Sequence, residues 1–249
     1  MKKIVLLRHG QSIWNQENRF TGWTDVPLSP LGIREAVEAG KMLKSAELSI
    51  DLAYTSVLQR AIKTLWLTLE QMDRLWISTV KDWRLNERHY GDLQGLNKIE
   101  TAAKFGEEQV LLWRRSYSVI PPLLSETDPR WEASDPRYRS IPKGLCPRGE
   151  SLKNTVDRVI PYWNGEIVPQ VLAGRQVMLV AHGNSLRALM KHLGRMTEDE
   201  IMKINLPTGI PLVYELDDNL MEKSRYFLGD PEEVARMTQA VANQGRKEL

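Results

Sequence analysis

The sequence predicts an α/β fold: a doubly wound, mostly parallel sheet with one antiparallel strand, helices on both faces and a helical, proline-rich insertion. Three observations predict it. Short continuous apolar runs, such as Lys3 to Leu7 and Val177 to Ala181, are the pattern of strands buried on both faces of a parallel sheet. Segments with helical spacing follow these runs, so strands and helices alternate. Near the end, two runs separated by Asp217-Asp218-Asn219 read as a hairpin, which requires at least one antiparallel strand.

The elements follow in order. After Lys3 to Leu7 comes Ser29-Pro30, an N-cap with proline at the first helical position, and then Ile33, Ala36, Val37, Gly40 and Leu43 at helical spacing. Leu52 to Thr55 is the second strand; Ser56 is the expected cap of a helix from Leu58 to Leu69 that carries Arg60 in its first turn. Ile77 to Val80 is a short third strand. Between Gly95 and Gly149 the alternation stops. Ile99 to Tyr117 has helical periodicity, after which Pro121, Pro122, Pro129, Pro136, Pro142 and Pro147 preclude long regular elements. This stretch, about 96–149, has too few apolar residues for its own core and reads as an insertion within a single domain spanning 1–249. Val177 to Ala181 leads into a helix from about Ser185, its cap, to Leu193. Pro211 to Leu216 and Lys223 to Leu228 form the hairpin, Asp230-Pro231-Glu232-Glu233 starts a last helix, and Asn243 to Leu249 is a loose tail.

Composition bounds the function. The 249 residues suffice for a substantial core, and 42 % hydrophobic with 27 % charged residues excludes disordered and fibrous classes. Lys and Arg number 34 against 32 Asp and Glu, with no basic block, so no nucleic-acid partner is expected. Any preference for anions must come from local placement. The single cysteine, Cys146, excludes an intramolecular disulfide and fits a reducing compartment. The first apolar run ends at Arg8 and His9, too soon for an export or membrane segment, which points to the cytoplasm and no membrane.

Two segments read almost alike, LLRHGQS and LVAHGNS. They place His9 and His182 at the ends of predicted strands, where open parallel sheets bind ligands. Each is followed by a glycine, Gly10 and Gly183, which lets backbone approach a ligand closely. The alternative for each is a strand-end histidine bonded to backbone; two in matching contexts favour a site. Arg8, Arg60 and Asn15 bring groups that match phosphate oxygens. An imidazole among arginines is held neutral and nucleophilic, which suits attack on a phosphoryl group. Glu87 follows a strand in the region of a general acid and base, although a lone glutamate there also serves as a salt-bridged structural residue. Walker, dinucleotide and His-Glu-x-x-His motifs are absent, and no metal is expected. His192 reads as structural. Leu65, Trp66, Leu69, Leu75 and Trp76 fit either a dimer interface or core packing.

Leu7-Arg8-His9-Gly10, with Gln11, Ser12 and Asn15, resembles the signature of the histidine phosphatase superfamily. More closely, RHGQSIWNQENRFTGWTDVPLSPLG, ERHYGDLQGLNK and LVAHGNSLRAL in order resemble the cofactor-dependent phosphoglycerate mutase family, and the likeness runs on through PTGIPLVYELD. The resemblance implies that His9 carries the phosphoryl group, that Glu87 gives and takes the proton, and that His182 stabilises the group in transit. It places Arg8, Asn15, Arg60, Gly183 and Asn184 in the phosphate pocket. Thr21, Gly22, Arg88, Tyr90, Lys98, Arg114 and Arg115 would hold the remaining anionic groups, and Gly10, Gln11, Ser12 and His89 complete the implied binding set. It further implies 3-phosphoglycerate and 2-phosphoglycerate as substrates, 2,3-bisphosphoglycerate as phosphoryl donor, a homodimer or homotetramer, and a tail that closes over the site through Gly245, Arg246 and Lys247. Two alternatives stand beside it: a histidine phosphatase acting on small phosphate esters, and a non-catalytic module that binds phospho-ligands.

Overall fold

The computed structural model describes residues 2–243. Along the chain lie β1 (Lys2–Arg8), α1 (Ile13–Gln16), α2 (Pro30–Ser45), β2 (Leu52–Thr55), α3 (Gln59–Gln71), β3 (Ser78–Lys81), α4 (Lys98–Phe105) and α5 (Glu107–Arg115). Then follow α6 (Leu152–Tyr162), α7 (Val168–Leu172), β4 (Val177–Ala181), α8 (Gly183–Leu193), α9 (Glu198–Lys203), β5 (Pro211–Leu216), β6 (Glu222–Phe227) and α10 (Pro231–Asn243). The strands stand in the order β3-β2-β4-β1-β5-β6. β1, β2, β3 and β4 are parallel, β5 runs against β1, and β6 runs against β5, so β5 alone is reversed.

The central strands are apolar throughout because both of their faces are covered. Ile4, Leu6, Leu52, Tyr54, Val177 and Leu179 point to one side, where Leu152 and Val159 of α6 and Leu186 and Leu189 of α8 meet them. Val5, Leu7, Ala53, Met178 and Val180 point to the other, against Ala39 and Leu43 of α2 and Leu65 and Leu69 of α3. This two-residue alternation is the pleat expressed as packing. Leu65 and Leu69 thus belong to the core, whereas Trp66, Leu75 and Trp76 are exposed, Trp76 by 74 %.

Several local expectations change. Ser29 caps α2 with Pro30 at its first position, as the sequence predicts, but α3 is preceded by Leu58 with no side-chain cap. Ser56 lies two residues earlier, and its hydroxyl is turned to His182. The helix predicted over 99–117 divides at Gly106, whose φ of 90° an L side chain rarely adopts. α8 begins at Gly183 with His182 at the N-cap; Ser185 is the third helical residue, and its Oγ accepts from the His182 N–H at 3.1 Å. The long helical stretch from Leu152 to Leu172 is absent from the sequence reading. It passes Pro161 through a π-helical turn at Trp163–Ile167. In the tail, Asn243 ends α10, and 244–249, with Gly245, Arg246 and Lys247, lie outside the described residues.

Gly10 is required by packing. A Cβ there would stand 2.2 Å from the Gly32 carbonyl oxygen and 2.8 Å from its carbon, both backbone atoms at the start of α2. Gly10→Ala is therefore expected to cost about 1–3 kcal/mol, the range for overpacking a tight site. A thermal melt checks it: Tm should drop by several degrees, and an unchanged Tm contradicts the contact.

Candidate active site

β1 and β4 are neighbours, with Arg8 registered opposite Ala181. The residues after them are therefore side by side as well, and the His9 N–H donates to Ala181 O at 3.0 Å. The two imidazoles lie 4.9 Å apart, ring centre to ring centre, at 61°. The crevice expected from the repeated segments exists because the sheet order brings together strands distant in sequence.

His9 is nearly fully buried. Its Nδ1 stands 2.7 Å from Gly10 O, and a carbonyl oxygen only accepts, so Nδ1 holds the proton of the neutral ring and Nε2 keeps the lone pair. Burial, then the charges of Arg60 and Arg8, push its pKa well below the ordinary 6.5. At neutral pH the ring is uncharged, with the Nε2 lone pair available to a ligand. His182 is wholly buried, Nε2 2.8 Å from Ser56 Oγ, and burial, then Arg60, His9 and Arg158, push its pKa well below 6.5.

The guanidinium groups are fixed before any ligand arrives. Arg8 Nη1 donates to Leu206 O at 2.7 Å; Arg60, on α3, donates to Gly22 O at 2.8 Å and Thr24 O at 2.9 Å. Nε of each is buried with no hydrogen-bond partner in the protein. Burial pushes Arg60 down to about 10, so it remains a cation at neutral pH. Glu87 Oε1 accepts from the N–H of Arg88 at 2.8 Å and of Asn184 at 3.1 Å.

A cavity opens at His9. Arg8, Arg19, Arg60, Lys98, Arg114, Arg115 and Arg187 line it, against one carboxylate among the described residues, that of Glu87, although the chain as a whole carries only a formal +2. Asn15, Thr21, Gly22, Tyr90, Gly183 and Asn184 complete its predicted lining. Buried donors lacking partners, surrounded by like charge, make this a site for a compact polyanion.

Five predicted binding residues stand outside the cavity lining. Gly10 packs on Gly32, Gln11 bonds Ser29 and Glu35, and Ser12 caps α1. Arg88 is buried beneath the rim, where it donates to the carbonyls of Trp113 and Arg114 and closes the end of α5. His89 Nδ1 accepts from Gly91 N–H and Nε2 donates to Glu132, joining the insertion to the sheet. Gly10, Gln11, Ser12 and His89 are engaged in the frame of the site, whereas Arg88 also keeps Nε and Nη1 buried with no hydrogen-bond partner in the protein. Among the described residues, no three His, Cys, Asp or Glu side chains converge on a metal position.

The model of the histidine phosphatase superfamily, branch 1, matches residues 4–131 and 124–226. The chain belongs to the histidine phosphatase superfamily. Two relatives, the 2,3-bisphosphoglycerate-dependent phosphoglycerate mutases of two Bacteroides fragilis strains, are each 57 % identical over 99 % of this chain and all of their own length. Among solved structures, a mycobacterial glucosyl-3-phosphoglycerate phosphatase is similar with a TM-score of 0.68 at 24 % identity, covering 91 % of this chain and 97 % of that one. The α-ribazole phosphatase of Shigella flexneri is similar with a TM-score of 0.64 at 19 % identity, covering 92 % and 96 %. At such identities these two show the fold alone.

In this member of the histidine phosphatase superfamily the sequence reading missed Arg19 and Arg187. Arg187 had a signal: it lies one turn after Asn184 on α8, whose side-chain oxygen accepts from its Nη1 at 3.0 Å. That bond fixes the amide so that Asn184 Nδ2 faces the Tyr90 hydroxyl. Lys98 shows how crowded the cations are, because burial, then Arg114, Arg8 and Arg115, push its pKa down to about 7. The free enzyme therefore loses this charge as pH rises through about 7, and kcat/KM for an anionic substrate should fall there. A bound anion holds the proton to higher pH, so kcat should turn down later. A pH series on the protein and on Lys98→Met checks it; the variant should lack that limb.

Proposed function

We propose that the chain interconverts 3-phosphoglycerate and 2-phosphoglycerate through a phosphohistidine at His9, as a 2,3-bisphosphoglycerate-dependent isomerase. The observation that carries this reading is the 57 % identity, end to end, to relatives bearing that activity in their names. The cavity supports it. Seven cations around one acid–base carboxylate suit a three-carbon acid carrying phosphate, and the unpartnered Nε groups of Arg8 and Arg60 fit phosphoryl oxygens.

Each residue then has a role. 2,3-Bisphosphoglycerate, when bound, supplies the phosphoryl group that primes the enzyme, held by Arg8 and Arg60 at one end and by Lys98, Arg114 and Arg115 at the other. His9 Nε2 forms the N–P bond as the O–P bond breaks, and Glu87 gives its proton to the departing oxygen. In the reverse direction Glu87 takes the proton of the accepting hydroxyl while His9 releases the phosphoryl. Charge on the moving group is met by Arg8, Arg60 and His182, so catalysis is chiefly positioning and electrostatic stabilisation.

The segment 96–149 belongs to the same domain in this reading, because Lys98, Arg114 and Arg115 close the cavity. The chain works as a homodimer or homotetramer in the cytoplasm. Trp66, Leu75, Trp76 and Val80, exposed beside the fully exposed edge strand β3, support the self-association. Among the described residues no helix is long and apolar enough to cross a membrane.

One experiment tests the activity: incubation with 3-phosphoglycerate, with and without catalytic 2,3-bisphosphoglycerate, following 2-phosphoglycerate and free phosphate. Stimulated isomer formation supports the mutase. Phosphate release alone points instead to a phosphatase, and neither product to a binding module.

A further inference from the structure

Glu87 lies on a stretch, Arg84 to His89, with only the single turn Trp83–Leu85 to give it regular structure. Asn86, Arg88 and His89 are nonetheless fully buried, so backbone groups there need partners other than water. One side chain serves three of the carbonyls. Arg158, on α6, donates from Nη1 to Arg84 O at 2.6 Å, and from Nη2 to Asn86 O at 3.1 Å and Glu87 O at 2.9 Å. Its Nε and Nη2 also grip the Glu150 carboxylate at 2.7 and 3.0 Å. Glu150 Oε2 in turn accepts the N–H of His89 at 2.8 Å. The buried pair thus brackets Glu87 on both sides, and Trp23 Nε1 adds a bond to Glu87 O at 2.7 Å.

Neither Arg158 nor Glu150 lines the cavity. The work done requires a guanidinium: its planar fork spans one carboxylate and three carbonyls, which a single ammonium nitrogen does not match. A buried ion pair gives little net stability in place of apolar residues, so its presence here points to a role beyond stability. We propose that Arg158 and Glu150 are positioning residues that aim the Glu87 carboxylate for proton transfer without touching substrate. The inference rests on the acid–base reading of Glu87.

Two phosphoryl donors separate aim from fold. Forming phospho-His9 from 2,3-bisphosphoglycerate expels an alkoxide, which must take a proton from Glu87. Forming it from acetyl phosphate breaks the P–O bond to release acetate, which needs no proton. In single-turnover measurements Arg158→Lys should slow labelling by the first donor by about 10- to 100-fold, part of the roughly 10²- to 10⁴-fold that a positioned acid contributes. Labelling by acetyl phosphate and KM for 3-phosphoglycerate should stay near the unmodified values. Glu150→Gln, which keeps one oxygen for the His89 N–H, should discriminate in the same direction by less. Equal loss with both donors in both variants, or no loss in either, overturns the proposal. Glu87→Gln is the control: if it too slows both donors equally, the acid–base reading fails, and the proposal falls with it for that separate reason.

Discussion

Replacing His9 with alanine is expected to lower mutase turnover by about 10⁶-fold, the scale lost when a covalent nucleophile is removed. The acid-labile phosphoenzyme should disappear with it. Neither His182 nor His89 lines the cavity to take the place of His9. His182 is wholly buried, with Nε2 held by Ser56. His89 has both ring nitrogens engaged, by Gly91 and Glu132. Labelling from radioactive 2,3-bisphosphoglycerate, followed by acid and base treatment of the denatured protein, checks the outcome. Persistence of an acid-labile label in His9→Ala would move the nucleophile elsewhere.

Glu87→Gln comes second, with an expected fall in kcat of roughly 10²- to 10⁴-fold. The substitution suits the question because an amide oxygen can still accept from the N–H groups of Arg88 and Asn184, which hold Oε1 now. Folding and substrate affinity should therefore survive while the proton is lost. Steady-state kinetics beside a thermal melt measure both. A variant with normal kcat would remove Glu87 from the chemistry; one with a collapsed Tm would make it a structural residue, as a lone buried glutamate often is.

The inner strands were legible because they are written as largely apolar runs. Leu52–Thr55, Val177–Ala181 and Pro211–Leu216 have the boundaries that the sequence predicts, and Pro30 marks the start of α2. The stretch from Leu152 to Leu172 was not, although Ser151 and Asn154 form a capping box. Pro161, Gly165 and Pro169 interrupt the helical period, and the π-helical turn that accommodates them depends on tertiary packing. In the site, His9, Arg8, Arg60 and Glu87 stand out because chemistry needs those residue types at strand and helix ends. Gln11, Ser12, Arg88 and His89 share the same motifs yet stand outside the cavity lining, which the motifs alone do not reveal. Arg158 carries no motif at all: its partners are mostly carbonyls, which no side-chain pattern records.

The pairing of β1 with β4 has a consequence for how the enzyme fails. His9 and His182 hang from the two innermost strands, whose amides exchange with solvent only when the whole molecule opens. Three of the cavity's cations, Lys98, Arg114 and Arg115, hang instead from α4 and α5, and of α5 only Val110 is fully buried. They belong to a unit that can open alone. Hydrogen exchange should rank the two accordingly, β1 and β4 slowest and 107–115 among the fastest. Under mild denaturant KM should then rise before kcat falls: the enzyme loses its grip on the substrate while the chemistry beneath is still assembled.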